Sequence, residues 1–180
     1  MSVRPEEERM FDVLIRGATV VTVGPKGVIE RGYVGIEGQR IAAVCEGSPP
    51  DGCSAGRVIE AEGMVAMPGL VNAHTHLAMT LMRGLADDMD VLVWLEKRIW
   101  PLEAKLTYED CYWGGMLGIL EMLRGGTTCF NDMYHYFDAT AQAIADSGIR
   151  GCPSLVLLGF LPSAKEDLGR ALALANQWGG

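Results

Sequence analysis

The sequence predicts an α/β protein in two parts, a β-rich N-terminal segment followed by strand–helix repeats. Three observations carry this. Between residues 11 and 61, short β-type segments recur at roughly ten-residue spacing with Gly-rich turns between them. Beyond residue 65, apolar runs alternate with stretches whose apolar residues fall at helical spacing. Those stretches also carry helix start and stop residues of their own.

The first part, residues 1–64, begins with strands over Phe11–Arg16 and Ala18–Val23, followed by the turn Gly24-Pro25-Lys26-Gly27. Gly32–Glu37 and Arg40–Val44 are further strands around Gly38-Gln39. Residues 47–56 form a loop and Arg57–Ala61 the last strand. This spacing suggests a small sandwich or an open sheet. The second part, residues 65–180, starts within the apolar run Met64–Ala73, read as one strand with His74-Thr75-His76 at its tip. A long connection, residues 77–106, holds a short helix around Trp94–Trp100 that Pro101 ends.

Thr107 and Asp110 form a capping box. The helix they open carries Tyr108, Tyr112, Met116, Ile119, Leu120 and Leu123 on its apolar face and stops at Gly125-Gly126. Thr127–Met133 is the next strand. Asp138–Ser147 is a helix halted by Gly148, and Gly151–Leu158 is a third strand. Ser163 and Glu166 form a second capping box, opening a helix carried by Leu168, Ala171, Leu172 and Ala175. Such repeats imply parallel strands with right-handed crossovers, and function then gathers at the C-terminal strand ends. Three units do not close an eight-stranded barrel. The chain is either a small open sheet or part of a larger protein.

Composition narrows the function. Hydrophobic residues make up 49% of the 180 residues, enough for a real core. The net charge of −8, without a Lys/Arg cluster, argues against nucleic-acid binding. The polar, acidic N-terminus is unlike a signal peptide, and Gly151–Ala164 is too short and too proline-broken to span a bilayer. A soluble, cytoplasmic protein without membrane partners is expected. Five widely spaced cysteines without a C-x-x-C pair suggest neither a disulfide scaffold nor a thiolate metal site.

The chemistry centres on His74 and His76. Side chains two apart on a strand share a face, so two imidazoles leave one strand end together, where they can share a metal ion. A catalytic zinc has three protein ligands and one open position. His135, the third of three histidines, is either a further ligand or a residue of the pocket mouth. Asp132 either orients a histidine or caps the turn after its strand. No H-E-x-x-H, no H-x-E with P-C-x-x-C, no glycine-rich phosphate loop and no G-x-S-x-G elbow occurs. A connection as long as 77–106 is a hallmark of a lid or binding loop. In it, Trp94 and Trp100 either pack on the core or wall a flat ring, with Glu103 offering a carboxylate to substrate hydroxyls.

The strings Met67-Pro68-Gly69-Leu70-Val71-Asn72-Ala73-His74-Thr75-His76 and Met79–Asp88 are distinctive. With Trp94-Leu95, Trp100-Pro101-Leu102-Glu103, Gly125–Thr128 and Asn131–Tyr134, they closely resemble the amidohydrolase superfamily. The closest branch is that of 5-methylthioadenosine/S-adenosylhomocysteine deaminases and related chlorohydrolases. The resemblance implies the first three units of a (β/α)8 TIM-like barrel, beside a small β-sandwich segment. It implies His74 and His76 as ligands of one divalent metal, zinc or iron. It also implies Glu103 at ribose hydroxyls and Trp94 in the lid over the nucleoside.

The implied activity is hydrolytic deamination of an adenosine-type nucleoside by metal-activated water. Hydrolysis of another heterocycle, such as guanine or an s-triazine, is the alternative, and a non-catalytic fragment is a third reading. The partner is a small heterocyclic substrate, with homo-oligomerisation left open. The catalytic acid and the remaining ligands are expected downstream of residue 180, so the 180 residues alone are not expected to turn over substrate. No arginine stands at the end of the third strand, where some relatives meet a homocysteine carboxylate; Leu155 lies near that position.

Overall fold

One long strand, β1 (Met10–Val21), opens the computed structural model, which describes residues 10–85, 88–156 and 164–178. Two strands with a break at Gly17 were expected. Instead Gly17 takes a left-handed backbone (φ +80°), and the register slips between Arg16 and Ala18, so pairing continues through a bulge. β2 (Val28–Glu37) pairs antiparallel with β1 and with β3 (Arg40–Glu46). β4 (Ser54–Glu60) runs parallel to β1 on its other side, beginning inside the expected loop.

The result is a five-stranded sheet in the order β3-β2-β1-β4, with β5 (Val65–Ala66) also on β1. Among the described residues this unit is a single sheet. Neighbouring residues Tyr33 and Val34 belong to different apolar clusters, so alternate side chains feed the two faces.

The chain divides into two units, Met1–Pro68 and Gly69–Gly180. The apolar run Met64–Ala73 is therefore not one strand. Its start pairs with β1, and its end becomes β6 (Leu70–Thr75) of a different sheet. Pro68-Gly69 makes the break. Proline lacks a ladder donor, and a Cβ at Gly69 would lie 2.1 Å from the Thr128 hydroxyl oxygen.

In the second unit β6, β7 (Thr127–Met133) and β8 (Arg150–Ser154) form a parallel sheet in that order. A 3₁₀ turn, Leu77–Met82, follows β6. The long connection then forms α1 (Val91–Trp94), a π turn (Leu95–Ile99) and α2 (Trp100–Glu103). Pro101 does not end this helix. The Trp100 amide reaches back five residues to the Leu95 carbonyl, and this wider turn accommodates the proline ring at the start of α2.

α3 (Tyr108–Arg124) has the expected Thr107–Asp110 capping box. Its buried face differs from the expected one. Cys111, Gly114, Gly115, Gly118 and Ile119 are buried, whereas Tyr108, Leu120 and Leu123 are exposed. The glycines explain this, because they let the 3₁₀ turn lie directly on the helix. A Cβ at Gly114 would stand 2.9 Å from the Ala78 carbonyl oxygen. α4 (Phe137–Ser147) ends at Gly148 in the left-handed conformation, as expected.

α5 (Ala164–Trp178) closes the described chain. Ser163 of the second capping box and the last residues of the expected third strand lie outside the described residues, as do Asp87 and the acidic N-terminus. No helix among the described residues is long and apolar enough to cross a membrane.

Candidate active site

The site lies at the C-terminal ends of β6 and β7. Near its end β6 gains one residue over β7, since Asn72 faces Phe130 and Thr75 faces Asp132. A bulge of this kind re-aims the side chains around it. The His74 and His76 rings meet edge to face with centroids 4.8 Å apart. His74 is exposed and His76 half-buried. The Met133 carbonyl lies 2.7 Å from His76 Nδ1. A carbonyl only accepts, so Nδ1 donates to it and Nε2 is the ring nitrogen not engaged by Met133.

Asp132 is buried and bonds to neither histidine. Its Oδ1 accepts from the Thr75 hydroxyl at 2.8 Å and from the Leu77 amide at 2.7 Å. Its Oδ2 accepts from the Thr140 hydroxyl at 3.4 Å. These bonds pin the backbone on both sides of His76 and tie it to α4. Burial raises the Asp132 pKa, opposed by the same three hydrogen bonds.

Beside the pair opens a cleft of about 740 Å³, lined by His76 at one side and Glu103 at another. Trp94, Leu95, Ile99 and Trp100 form its apolar wall. Ile99 is buried in the core, while Trp100 is half exposed and, with Trp94, lines the cleft. Glu103 is largely sequestered, its side chain 13% exposed, and its Oε2 lies 3.5 Å from His135 Nε2. Burial, and after it the nearby Glu103 carboxylate, hold the Tyr134 phenol neutral far into alkali, while its hydroxyl donates to the Met82 sulfur at 3.9 Å.

The structure thus pairs His135 with Glu103 at the pocket mouth. Among the described residues no group of three or more His, Cys, Asp or Glu side chains is arranged to hold a metal ion. Some lining residues, Tyr136 and Arg170 among them, escaped the sequence reading. Tyr134 entered only as the end of the Asn131–Tyr134 string, and Tyr136 could have been marked only by its position just past a strand end. Arg170, from α5, reaches the cleft edge with its guanidinium 3.9 Å from Asp138, although Leu155 stands at the end of β8.

The amidohydrolase family model matches residues 65–173. A 5-methylthioadenosine/S-adenosylhomocysteine deaminase of Pelotomaculum thermopropionicum is 47% identical over 173 residues, covering 95% of this chain and 40% of the relative. A 5'-deoxyadenosine deaminase of Methanosarcina mazei is 46% identical over 174 residues, with the same coverages. Among solved structures, an adenosine deaminase from Xanthomonas campestris with bound zinc superposes with a TM-score of 0.87 at 37% identity, covering 95% of this chain and 40% of that one. The chain therefore spans about 40% of the length of the relatives it matches. By sequence and by fold, it belongs to the amidohydrolase family.

Proposed function

We infer that this chain supplies the first part of a hydrolase that deaminates an adenosine-type nucleoside: methylthioadenosine, S-adenosylhomocysteine or adenosine. The observation that carries this is one apolar cleft lined both by His76, a member of the imidazole pair, and by the sequestered Glu103 carboxylate. The deaminases named above support the reaction class. The parallel β6-β7-β8 sheet with its connecting helices supports a (β/α)8 barrel begun here, with residues 1–64 contributing to a β-sandwich domain and 65–180 to the barrel.

His74 and His76 fit a divalent metal. Both offer nitrogen to a metal, and with Nδ1 of His76 held by the Met133 carbonyl, Nε2 is the nitrogen it can offer. The zinc of the Xanthomonas enzyme makes zinc the first candidate, and iron the second. Such an ion, when bound, acidifies a water to a pKa of roughly 7. Trp94 and Trp100 offer aromatic faces to a purine. Glu103, an acceptor-only carboxylate, accepts hydrogen bonds from the two ribose hydroxyls. Further ligands and the proton-handling acid are proposed to follow residue 180.

The test is ammonia release from these three nucleosides by the zinc-loaded full-length gene product. Activity with at least one, abolished in His74→Ala and His76→Ala, is expected; no activity with any of them overturns the reading. Glu103→Gln should raise KM for the nucleosides about tenfold or more while leaving a bare base such as adenine unaffected. Equal loss on both sinks the ribose assignment.

A further inference from the structure

α3 buries one face and leaves an apolar stripe on the other. Trp113, Leu117 and Leu120 are 59%, 41% and 54% exposed. At about 100° per residue they fall opposite the buried Cys111, Gly115 and Gly118. Single exposed apolar residues are ordinary, but a Trp and two Leu in line along one helix form a continuous patch. Trp113 is also held in place. Tyr112 meets its ring edge to face with centroids 5.0 Å apart, and the Tyr112 hydroxyl donates to Asp146 at 2.8 Å. A large aromatic ring oriented before contact is the usual anchor of a protein interface.

Charge brackets the stripe. Glu109 stands one turn before Trp113, and Arg124 one turn after Leu120. Among the described residues neither has an ion-pair partner. The neighbouring acids on this helix are already engaged, Asp110 in the capping box and Glu121 with Arg83 at 2.6 Å. What remains is a negative charge at one end of the stripe and a positive charge at the other. Such a face complements itself when turned end for end. From Trp113 through Leu117 and Leu120 to Arg124 the spacing is four, three, four, the seam of a packed helix pair.

We propose that this face of α3 docks a second copy of the protein, the two helices running antiparallel across a two-fold axis beside Leu117. That axis sets Trp113 against the partner's Leu120 and Glu109 against the partner's Arg124, each pair occurring twice. Leu117 meets the partner's Leu117 at the centre. The inference rests on the barrel reading above, because in a (β/α)8 barrel the helix face opposite the sheet looks outward. Five side chains per copy make a small patch beside the roughly 800 Å² that each partner gives to a standard interface. The dimer is therefore one that dissociates in the micromolar range.

The test is sedimentation of the zinc-loaded full-length gene product at concentrations up to about 100 μM, with deaminase activity followed separately. A concentration-dependent monomer–dimer equilibrium is expected. Trp113→Ser should weaken it about tenfold or more without lowering Tm of the dilute monomer, because the ring is exposed in a single copy. Glu109→Arg and Arg124→Glu, each alone, should weaken it about tenfold by setting like charges opposite each other. Mixing these two variants should restore dimers, now of unlike chains, since every Arg then faces a Glu. General damage to the fold gives no such rescue. A protein that stays monomeric throughout overturns the proposal, and retained deaminase activity would then leave the function above standing. A dimer that ignores Trp113→Ser and both charge reversals, or a mixture that fails to recover, overturns it as well.

Discussion

Asp132 and Glu103 are both carboxylates of the second unit, and they are used in opposite ways. Asp132 is 2% exposed and spends its oxygens on a backbone amide and two hydroxyls of its own chain. Its partners flank His76 and reach α4, so its work is to hold the strand end still. Glu103 is also sequestered, yet it faces the cleft and meets side chains of one loop only. A buried carboxylate with all its bonds satisfied internally belongs to the frame. One held at a cavity wall with acceptor capacity left over is available to a ligand.

The largest expected effect tests the first half of this contrast. Asp132→Ala leaves the Leu77 amide and the Thr140 hydroxyl without their partner in the interior, while Thr75 keeps the Asn131 carbonyl, so unfolding in urea should show a loss of about 3 kcal/mol. A loss below about 1 kcal/mol would mean that Asp132 is not part of the frame. Gly114→Ala comes next, because its methyl group would press on the Ala78 carbonyl and lift the 3₁₀ turn away from Asp132. A loss of about 2 kcal/mol is expected, measured the same way. A neutral result would show that the turn can shift without cost.

Cys111 senses both carboxylates. Burial, with Asp110, Asp132, Asp138 and Glu103 nearby, pushes its thiol up to about 11. The folded value lies above the unfolded one, so this stabilising term is fully present below the ordinary thiol range and is lost as pH rises toward 11. Alkylation followed by mass spectrometry at rising pH should mark the exposed Cys152 first and Cys111 only in strong alkali or on unfolding. Asp132→Asn should lower the Cys111 pKa more than Glu103→Gln does, since Asp132 exerts the larger of the two influences. The reverse order would break the contrast. The smallest stability effect belongs to His135→Ala, whose exposed pairing with Glu103 should change unfolding by no more than about 0.5 kcal/mol.

The sequence displayed local signals well and long-range ones poorly. The capping box at Thr107, the stop at Gly148 and β7 were legible because each is decided within a few residues. The H-x-H pair was legible for the same reason. The division of Met64–Ala73 between two sheets was not, because it depends on pairing with Thr19–Val20 and on the Thr128 side chain. The buried face of α3 was misjudged because glycines score as spacers when apolar size is counted, yet here they are the contact surface. Glu103 stood out as a candidate, while Tyr136, which donates to the Leu106 carbonyl beside it, did not. A hydroxyl aimed at a distant carboxylate or carbonyl leaves no trace in local spacing.

The π turn at Leu95–Ile99 carries a consequence for how such a cleft changes over time. A π turn is an α-helix with one surplus residue. That surplus residue is absorbed within the one turn, but a residue inserted in or deleted from the ordinary winding of α2 beside it would swing everything beyond it by about 100° around the helix axis. Glu103 would leave the cleft although the sequence still held it. In this protein the carboxylate's place is written in the length of a helix, so a one-codon indel can remove it as surely as a substitution.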